Sequence, residues 1–111
     1  MQLRKPKIED QAKLMDYIME HYINGEMSIS ASNGMPTMPY EEWLEKLKKD
    51  ESGDNKDWGI SETFILTTRD KVLGMLNIRY TLPNEKAEQY GHIGYGVRPS
   101  QRKKRIRNLY A

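Results

Sequence analysis

Hydrophobic residues recur at helical spacing in two segments of the first half of the chain. In residues 8–23 the apolar positions fall mostly three or four residues apart, and Asn24 and Gly25 follow as the expected stop. From Pro39 onward, a second segment places one apolar face beside Glu and Lys pairs at helical spacing. The apolar positions are Ile8, Leu14, Met15, Ile18, Met19 and Tyr22 in the first segment, and Tyr40, Trp43, Leu44 and Leu47 in the second. The pattern predicts two amphipathic helices joined by a loop over residues 25–38.

The second half of the chain changes to the period of two that is typical of strands. Residues 63–68 and 72–82, joined by a tight turn at 69–71, predict an antiparallel hairpin. Residues 92–97 predict a third strand, and residues 1–7 predict a short edge strand. This order of strand, two helices and three strands predicts an α/β (α+β) domain with a mostly antiparallel sheet and flanking helices.

Composition restricts the class of protein. The chain has 111 residues, which is enough for one domain with a single core. It has no cysteine and two histidines, so it offers no disulfide framework, no thiolate site and no convincing metal cluster, and no metal is expected. No segment reaches the roughly eighteen apolar residues of a membrane span, and the N-terminal residues lack the apolar core of a signal peptide. We therefore expect a cytoplasmic protein with no membrane partner.

Positive charge is concentrated towards the C-terminal end. Residues 91–111 hold six of the eighteen Lys and Arg residues and none of the sixteen Asp and Glu residues. Such a block either binds an anion or remains solvated. Nucleic acid is not the expected partner, because no aromatic residue is interleaved with these cations to stack on bases.

The third predicted strand carries a glycine pattern next to this basic block. Gly94 and Gly96 share one face of the strand, opposite Tyr95, which leaves space for another backbone or a slender ligand. A bulge, or packing within the protein, would use the same glycines. Pro99 then breaks the strand, and Ser100 is a candidate N-cap for a turn that presents backbone N–H groups. A slender ligand that ends in phosphates would match this arrangement.

At these residues the sequence resembles a known family. The stretch "HIGYGVRPSQRKK" is similar to the acetyl-coenzyme A signature of the GNAT family of N-acetyltransferases. In that signature a splayed, bulged strand runs into a Gln/Arg-x-x-Gly-x-Gly/Ala loop that opens a helix. The segments "QLRKPKIED", "YEEWLEKL" and "TFILTTRDKVLGMLNIRY" resemble the branch of bacterial predicted acetyltransferases, in the same order along the chain.

The resemblance implies a fold, a reaction and a set of contacts. It implies the N-terminal and central part of a GNAT-like fold, which transfers acetyl from acetyl-coenzyme A, as co-substrate, to a primary amine of an unnamed acceptor. By position, it implies that pantetheine lies along Tyr95, Gly96 and Val97. It also implies that residues 102–107 contact the pyrophosphate. The cofactor-binding residues expected in this range are Arg102, Lys103, Lys104 and Arg105.

The sequence departs from the family pattern near its end. Arg105 and Arg107 stand where the pattern has a glycine and a small residue, and their side chains would fill the space that pyrophosphate needs. The genetic code allows a set of codons for residues 104–108 that encodes Lys-Gly-Tyr-Ala-Thr when the reading frame moves forward by one base. This second translation matches the family pattern. We therefore expect a frameshifted tail over residues 105–111 and a single, C-terminally incomplete domain. The family's proton-donating tyrosine lies on a later helix that this chain lacks, so an inactive domain is one expectation.

Three further residues are candidates for binding or deprotonating the acceptor amine. His92 starts the third strand and is a candidate general base for an incoming ammonium group, although a lone histidine also serves as a structural hydrogen bonder. Asn77 and Arg79 share one face of the longer hairpin strand and are candidate substrate-binding residues. Exposed strand faces also carry such residues without any function.

A non-enzymatic domain is the second function class that the sequence leaves open. Such a domain would fold and self-associate, or would bind polyanions through its basic C-terminal run. An incomplete sheet would leave the third strand with an exposed edge, and exposed edges pair with other strands. This feature predicts a homodimer.

Overall fold

The computed structural model describes residues 1–53, 59–80 and 92–102. In chain order, the elements are strand β1 Gln2–Arg4, a 3-10 turn Ile8–Asp10, helices α1 Gln11–Ile23 and α2 Tyr40–Ser52, strands β2 Ser61–Thr67, β3 Val72–Arg79 and β4 Ile93–Val97, and a second 3-10 turn Pro99–Gln101. Predictions that fall on residues 54–58, 81–91 and 103–111 lie outside the described residues.

The four strands form one antiparallel sheet in the order β1-β2-β3-β4. The Thr68 N–H donates to the Lys71 carbonyl oxygen at 2.9 Å and closes the hairpin between β2 and β3 at the predicted turn. At the far side of the hairpin, Met75 of β3 lies opposite Gly96 of β4. The predicted α+β class, the hairpin and the antiparallel sheet are therefore confirmed.

Both helices pack on the same face of the sheet. Ile65 and Met75 are register partners and point to that face, where they meet the helices. The core formed there contains Leu14, Tyr17, Ile18, Met35, Tyr40, Trp43, Leu47, Ile65, Val72 and Met75. Among the described residues, no helix combines the length and apolar character needed to cross a membrane.

A β-bulge interrupts the alternation that the sequence predicts for β3. Thr67 pairs with Val72 but Leu66 pairs with Gly74, so Leu73 has no register partner on β2. The extra residue lets Val72 and Met75 both face the helices, although three positions separate them. Leu73 instead joins Leu66 and Val97 in a smaller apolar cluster.

The first helix begins later than its pattern predicts. Ile8 belongs to a 3-10 turn and is half exposed, and α1 begins only at Gln11. The Asp10 carboxylate holds this turn, because it accepts the Lys7 N–H at 2.7 Å and two guanidinium N–H groups of Arg4 at 2.8 Å. The second helix follows Pro39, as predicted, and its residues Tyr40, Trp43 and Leu47 are buried.

Candidate functional site

The main chain of β4 alternates between β3 and the outer edge of the sheet. The Arg79 N–H donates to the His92 carbonyl oxygen at 2.6 Å, and the Arg98 N–H donates to the Leu73 carbonyl oxygen at 2.7 Å. Even-numbered residues of this stretch therefore bond to β3. It follows that the N–H and C=O groups of residues 93, 95 and 97 are directed away from β3.

The ladder between β3 and β4 is regular over its whole described length. Register partners run from Gly74 opposite Val97 to Ile78 opposite Ile93 without a shift. The bulge that the family signature implies for this strand therefore does not occur on the side of β4 that faces β3. The bulge of this sheet lies instead at Leu73, between β2 and β3.

The glycines of β4 allow close packing by other parts of the same chain. A Cβ atom built on Gly96 would lie 3.2 Å from both the Ser30 carbonyl oxygen and the Tyr17 hydroxyl. A Cβ on Gly94 would lie 3.4 Å from the Arg79 guanidinium. The groove predicted on this face is thus occupied by the loop between α1 and α2, which is the backbone alternative that the sequence left open.

Arg98 fixes the segment that follows β4. Its side chain is buried, and its Nε donates to the Val72 carbonyl oxygen at 2.8 Å. Its Nη1 lies 2.9 Å from Asp16 Oδ2 and 3.1 Å from Glu20 Oε1, both on α1. Within the described residues, Nη2 has no hydrogen-bond partner. Arg98 therefore ties the end of the sheet to α1 through two ion pairs.

The turn after β4 begins two residues earlier than an N-cap at Ser100 predicts, because Arg98 holds the N-cap position. Its first residue is Pro99, whose fixed φ suits that position, and Ser100 lies inside the turn. The Ser100 N–H donates to Glu20 Oε2 at 2.9 Å. Partial burial acts to raise the pKa of Glu20, but the Ser100 and Arg98 donors outweigh it and lower that pKa overall.

Arg102 lies beside the turn and forms a two-point ion pair with Glu26. Its Nη2 donates to Glu26 Oε1 at 2.6 Å, its Nη1 donates to Oε2, and its Nε donates to the Val97 carbonyl oxygen at 3.2 Å. His21 Nδ1 and Asn24 Nδ2 also lie within hydrogen-bond distance of this carboxylate. Hydrogen bonds from Arg102, His21 and Asn24 hold the pKa of Glu26 well below its usual range.

These groups surround an open pocket at the end of β4. Ser100 contributes a backbone N–H, and Arg102 contributes the one cationic side chain among the described lining residues. The lining residues are Glu20, Ile23, Asn24, Pro99, Ser100 and Arg102. Of the residues predicted to bind the cofactor phosphates, Arg102 borders this pocket, whereas Lys103, Lys104 and Arg105 lie outside the described residues.

The candidates for acceptor chemistry lie at the opposite end of β4. His92 is exposed, and its Nδ1 lies 2.8 Å from the Arg79 carbonyl oxygen. Asn77 is buried, and its Nδ2 donates to Thr63 Oγ1 at 3.0 Å and to the Glu62 carbonyl oxygen at 3.1 Å. The sheet therefore brings His92 and Arg79 together, while the amide nitrogen of Asn77 is engaged within the sheet.

Comparison with protein-family models, curated proteins and solved structures gave no match for this chain. The interpretation of the pocket therefore depends on its own residues. Over the described residues, no three His, Asp or Glu side chains converge as a metal site would require. The donors that the pocket presents, a backbone N–H and a guanidinium group, are those that proteins use for phosphate and carboxylate groups.

The residues that sequence reasoning missed are the three that organise the pocket: Arg98, Glu20 and Glu26. Arg98 follows a strand directly and precedes a proline, which gives no indication that it is buried. Glu20 lies within a helix and Glu26 begins a loop, and such positions are usually solvated. The sequence offers one related signal: before residue 91, 16 Asp and Glu residues stand against 12 Lys and Arg residues, whereas residues 91–111 carry only cations.

Proposed function

We propose that this chain is a domain of the N-acetyltransferase type, which binds acetyl-coenzyme A along β4 and transfers its acetyl group to a primary amine. The observation that carries the proposal is the sequence of features at one end of the sheet. Outward-directed main-chain groups on β4 lead directly to the pocket that contains the Arg102 guanidinium. An extended arm ending in a diphosphate matches that order of groups.

The orientation of β4 refines which residues would contact the arm. The amide groups of pantetheine would pair with the outward main-chain groups of Tyr95 and with the outward N–H of Val97, whose carbonyl oxygen already accepts Arg102 Nε. Gly96 directs its own N–H and C=O towards β3, so its part in the proposal is to let the strand pack closely. The diphosphate would accept hydrogen bonds from Arg102, and Lys103, Lys104 and Arg105 follow directly in the sequence.

The proposed reaction needs a neutral amine and a stabilised oxyanion. A base takes one proton from the acceptor ammonium group, and His92 is the candidate for this role. The amine nitrogen then attacks the thioester carbonyl carbon, and an outward main-chain N–H at the His92 end of β4 stabilises the resulting oxyanion. The C–S bond breaks as the nitrogen loses its second proton and the amide forms, and the thiolate of coenzyme A takes up one proton.

The proposal is tested by thermal unfolding in the presence of coenzyme A. A ligand that binds only the folded state raises the unfolding midpoint, by an amount equivalent to about 2.7 kcal/mol at a hundred times its Kd. Arg102→Gln should weaken binding about tenfold, because it removes charge-assisted hydrogen bonds to the diphosphate. Arg69→Gln removes the same charge from the exposed hairpin turn and is the matched control. A midpoint that does not move at saturating coenzyme A would contradict the proposal.

The regular register of β4 supports a second candidate function. An edge strand without a bulge is a good template for another strand, and the strand Ile93–Val97 contains no charged residue and no proline. A non-catalytic domain that self-associates through this edge would use the same main-chain groups. Binding of polyanions through the basic run belongs to this candidate as well, and it would weaken steeply with added salt.

A further inference from the structure

Two glutamates already occupy the donors of the pocket at the end of β4. Glu20 accepts the Ser100 N–H, and Glu26 accepts hydrogen bonds from both Nη atoms of Arg102. Glu26 takes the end-on pair of Nη N–H groups of Arg102, and the Val97 carbonyl oxygen takes its Nε–H. An anion that binds Arg102 through that end-on pair must therefore replace the Glu26 carboxylate.

The burial of the two arginines decides which carboxylate can be replaced. Glu20 also pairs with Arg98, whose side chain is 2% exposed and whose other acidic partner, Asp16, is 63% exposed. Removing Glu20 would leave this buried charge with only a solvated partner, which is costly. The side chains of Arg102 and Glu26 are 36% and 29% exposed, so water can solvate both charges when they separate. Glu20 is thus a fixed part of the structure, and Glu26 is the replaceable carboxylate.

The surroundings of Glu26 make this replacement easier. If Arg102 leaves, the Glu26 carboxylate keeps Asn24 Nδ2 at 2.6 Å and His21 Nδ1 at 3.0 Å. The Arg102 guanidinium in turn presents a planar pair of N–H groups that fits phosphate oxygens as well as it fits a carboxylate. A diphosphate also carries more negative charge than one glutamate, which favours the exchange.

We propose that Glu26 is a built-in competitor that blocks Arg102 until a diphosphate group displaces it. The identity of the ligand class rests on the proposed function, whereas the competition rests on the ion pair between Glu26 and Arg102. In this scheme Glu26 lowers the affinity of the pocket for every phosphate ligand. The empty pocket is thereby protected from binding abundant small anions.

The test measures binding of inorganic pyrophosphate by calorimetry at low ionic strength. Glu26→Gln should bind pyrophosphate more tightly than the wild-type chain, on the order of two- to fivefold, which corresponds to the contribution of a partly exposed ion pair. Glu42→Gln removes the same charge from the exposed surface of α2 and should leave the affinity unchanged. The double variant Glu26→Gln with Arg102→Gln should not bind pyrophosphate more tightly than Arg102→Gln alone, because the guanidinium for which Glu26 and the anion compete is then absent.

The outcomes separate this inference from the proposed function. Equal pyrophosphate affinity in the wild-type chain and the Glu26→Gln variant overturns the competition, and so does a gain that survives in the double variant. Coenzyme A is measured beside pyrophosphate. If Glu26→Gln strengthens pyrophosphate binding but coenzyme A binds no better than pyrophosphate, the competition stands and the acetyltransferase proposal fails. If coenzyme A binds both proteins equally well, the competition fails and the acetyltransferase proposal stands.

Discussion

At the scale of single residues, the Asp10 carboxylate is a buried charge whose partners are all given by the structure. It is buried between β1 and α1, and it accepts hydrogen bonds from the Lys7 N–H and from both Nη atoms of Arg4. Hydrogen bonds from Arg4 outweigh the effect of burial and lower the pKa of Asp10 below its usual value. This one side chain therefore connects the first strand to the first helix.

Replacing Asp10 should lower the free energy of unfolding, by an amount that depends on pH. Asp10→Asn should lower the free energy of unfolding by about 1–3 kcal/mol near neutral pH, because it removes charged hydrogen bonds in a buried place. The folded-state pKa is lowered, so the stabilisation is complete above the ordinary aspartate pKa of about 4 and is lost as the pH falls below it. Urea unfolding of both proteins from neutral to acidic pH measures the difference.

The neighbouring exposed residue provides the control for this prediction. Glu9→Gln removes the same charge from the same turn and should change the free energy of unfolding by less than about 0.5 kcal/mol. A stability difference between the wild-type chain and Asp10→Asn that persists unchanged well below pH 4 would refute the role given to this carboxylate.

At the scale of elements, the loop between α1 and α2 is tied to both the sheet and the core. Asn33 Nδ2 donates to Thr63 Oγ1 at 2.6 Å, and Met35 is buried in the core. Ala31 and Asn33 have φ angles of 64° and 53°, so the loop uses the left-handed region at two non-glycine positions. These contacts bring the Ser30 carbonyl oxygen against Gly96.

The two glycines of β4 should respond differently to a methyl group. Gly96→Ala would place its Cβ 3.2 Å from the Ser30 carbonyl oxygen and should lower the free energy of unfolding by about 1–2 kcal/mol. Gly94→Ala meets only the flexible end of Arg79 at 3.4 Å, and it should be neutral or raise stability by up to about 1 kcal/mol. Urea denaturation of both variants is the measurement, and equal effects would mean that the loop does not press on β4.

At the scale of the whole molecule, the two edges of the sheet differ. The strand β1 has three residues, ends at Arg4 and is soon followed by Pro6, and these features discourage further pairing. The strand β4 is longer, and although Arg98 and Pro99 follow it, none of the five residues Ile93–Val97 is charged or a proline. The side chains of Ile93 and Tyr95 are exposed. Any association between copies should therefore use the β4 edge.

Sedimentation at high protein concentration tests this asymmetry. We expect a dimer, and Ile93→Lys should shift it to monomer because a charge on an edge strand opposes pairing. Ile23→Lys changes an even more exposed apolar residue at the end of α1 and should leave the dimer intact. A monomer at every concentration, or equal effects of the two variants, would contradict pairing through β4.

The parts of the molecule that the sequence could predict are those set by local periodicity. The pattern identified α1, α2, the hairpin and β4, because one apolar face or one alternation is visible within each segment. The bulge at Leu73 was not predictable, since it depends on how β2 and β3 meet. Nor were the ion pairs of Arg98 with Glu20 and of Arg102 with Glu26, whose partners stand 78 and 76 positions apart. Such pairs exist only after the sheet has brought α1 to the end of β4.

The indole of Trp43 gives this protein a natural optical reporter. It is fully buried, and its Nε1–H donates to the Ser32 carbonyl oxygen of the same loop that covers Gly96, at 2.9 Å. Indole emission moves to longer wavelength as the ring becomes wetter. In a chain carrying Trp58→Phe, the colour of the remaining emission would therefore follow the loop directly and without a label. Any ligand that moves this loop away from β4 would therefore shift the fluorescence emission of Trp43.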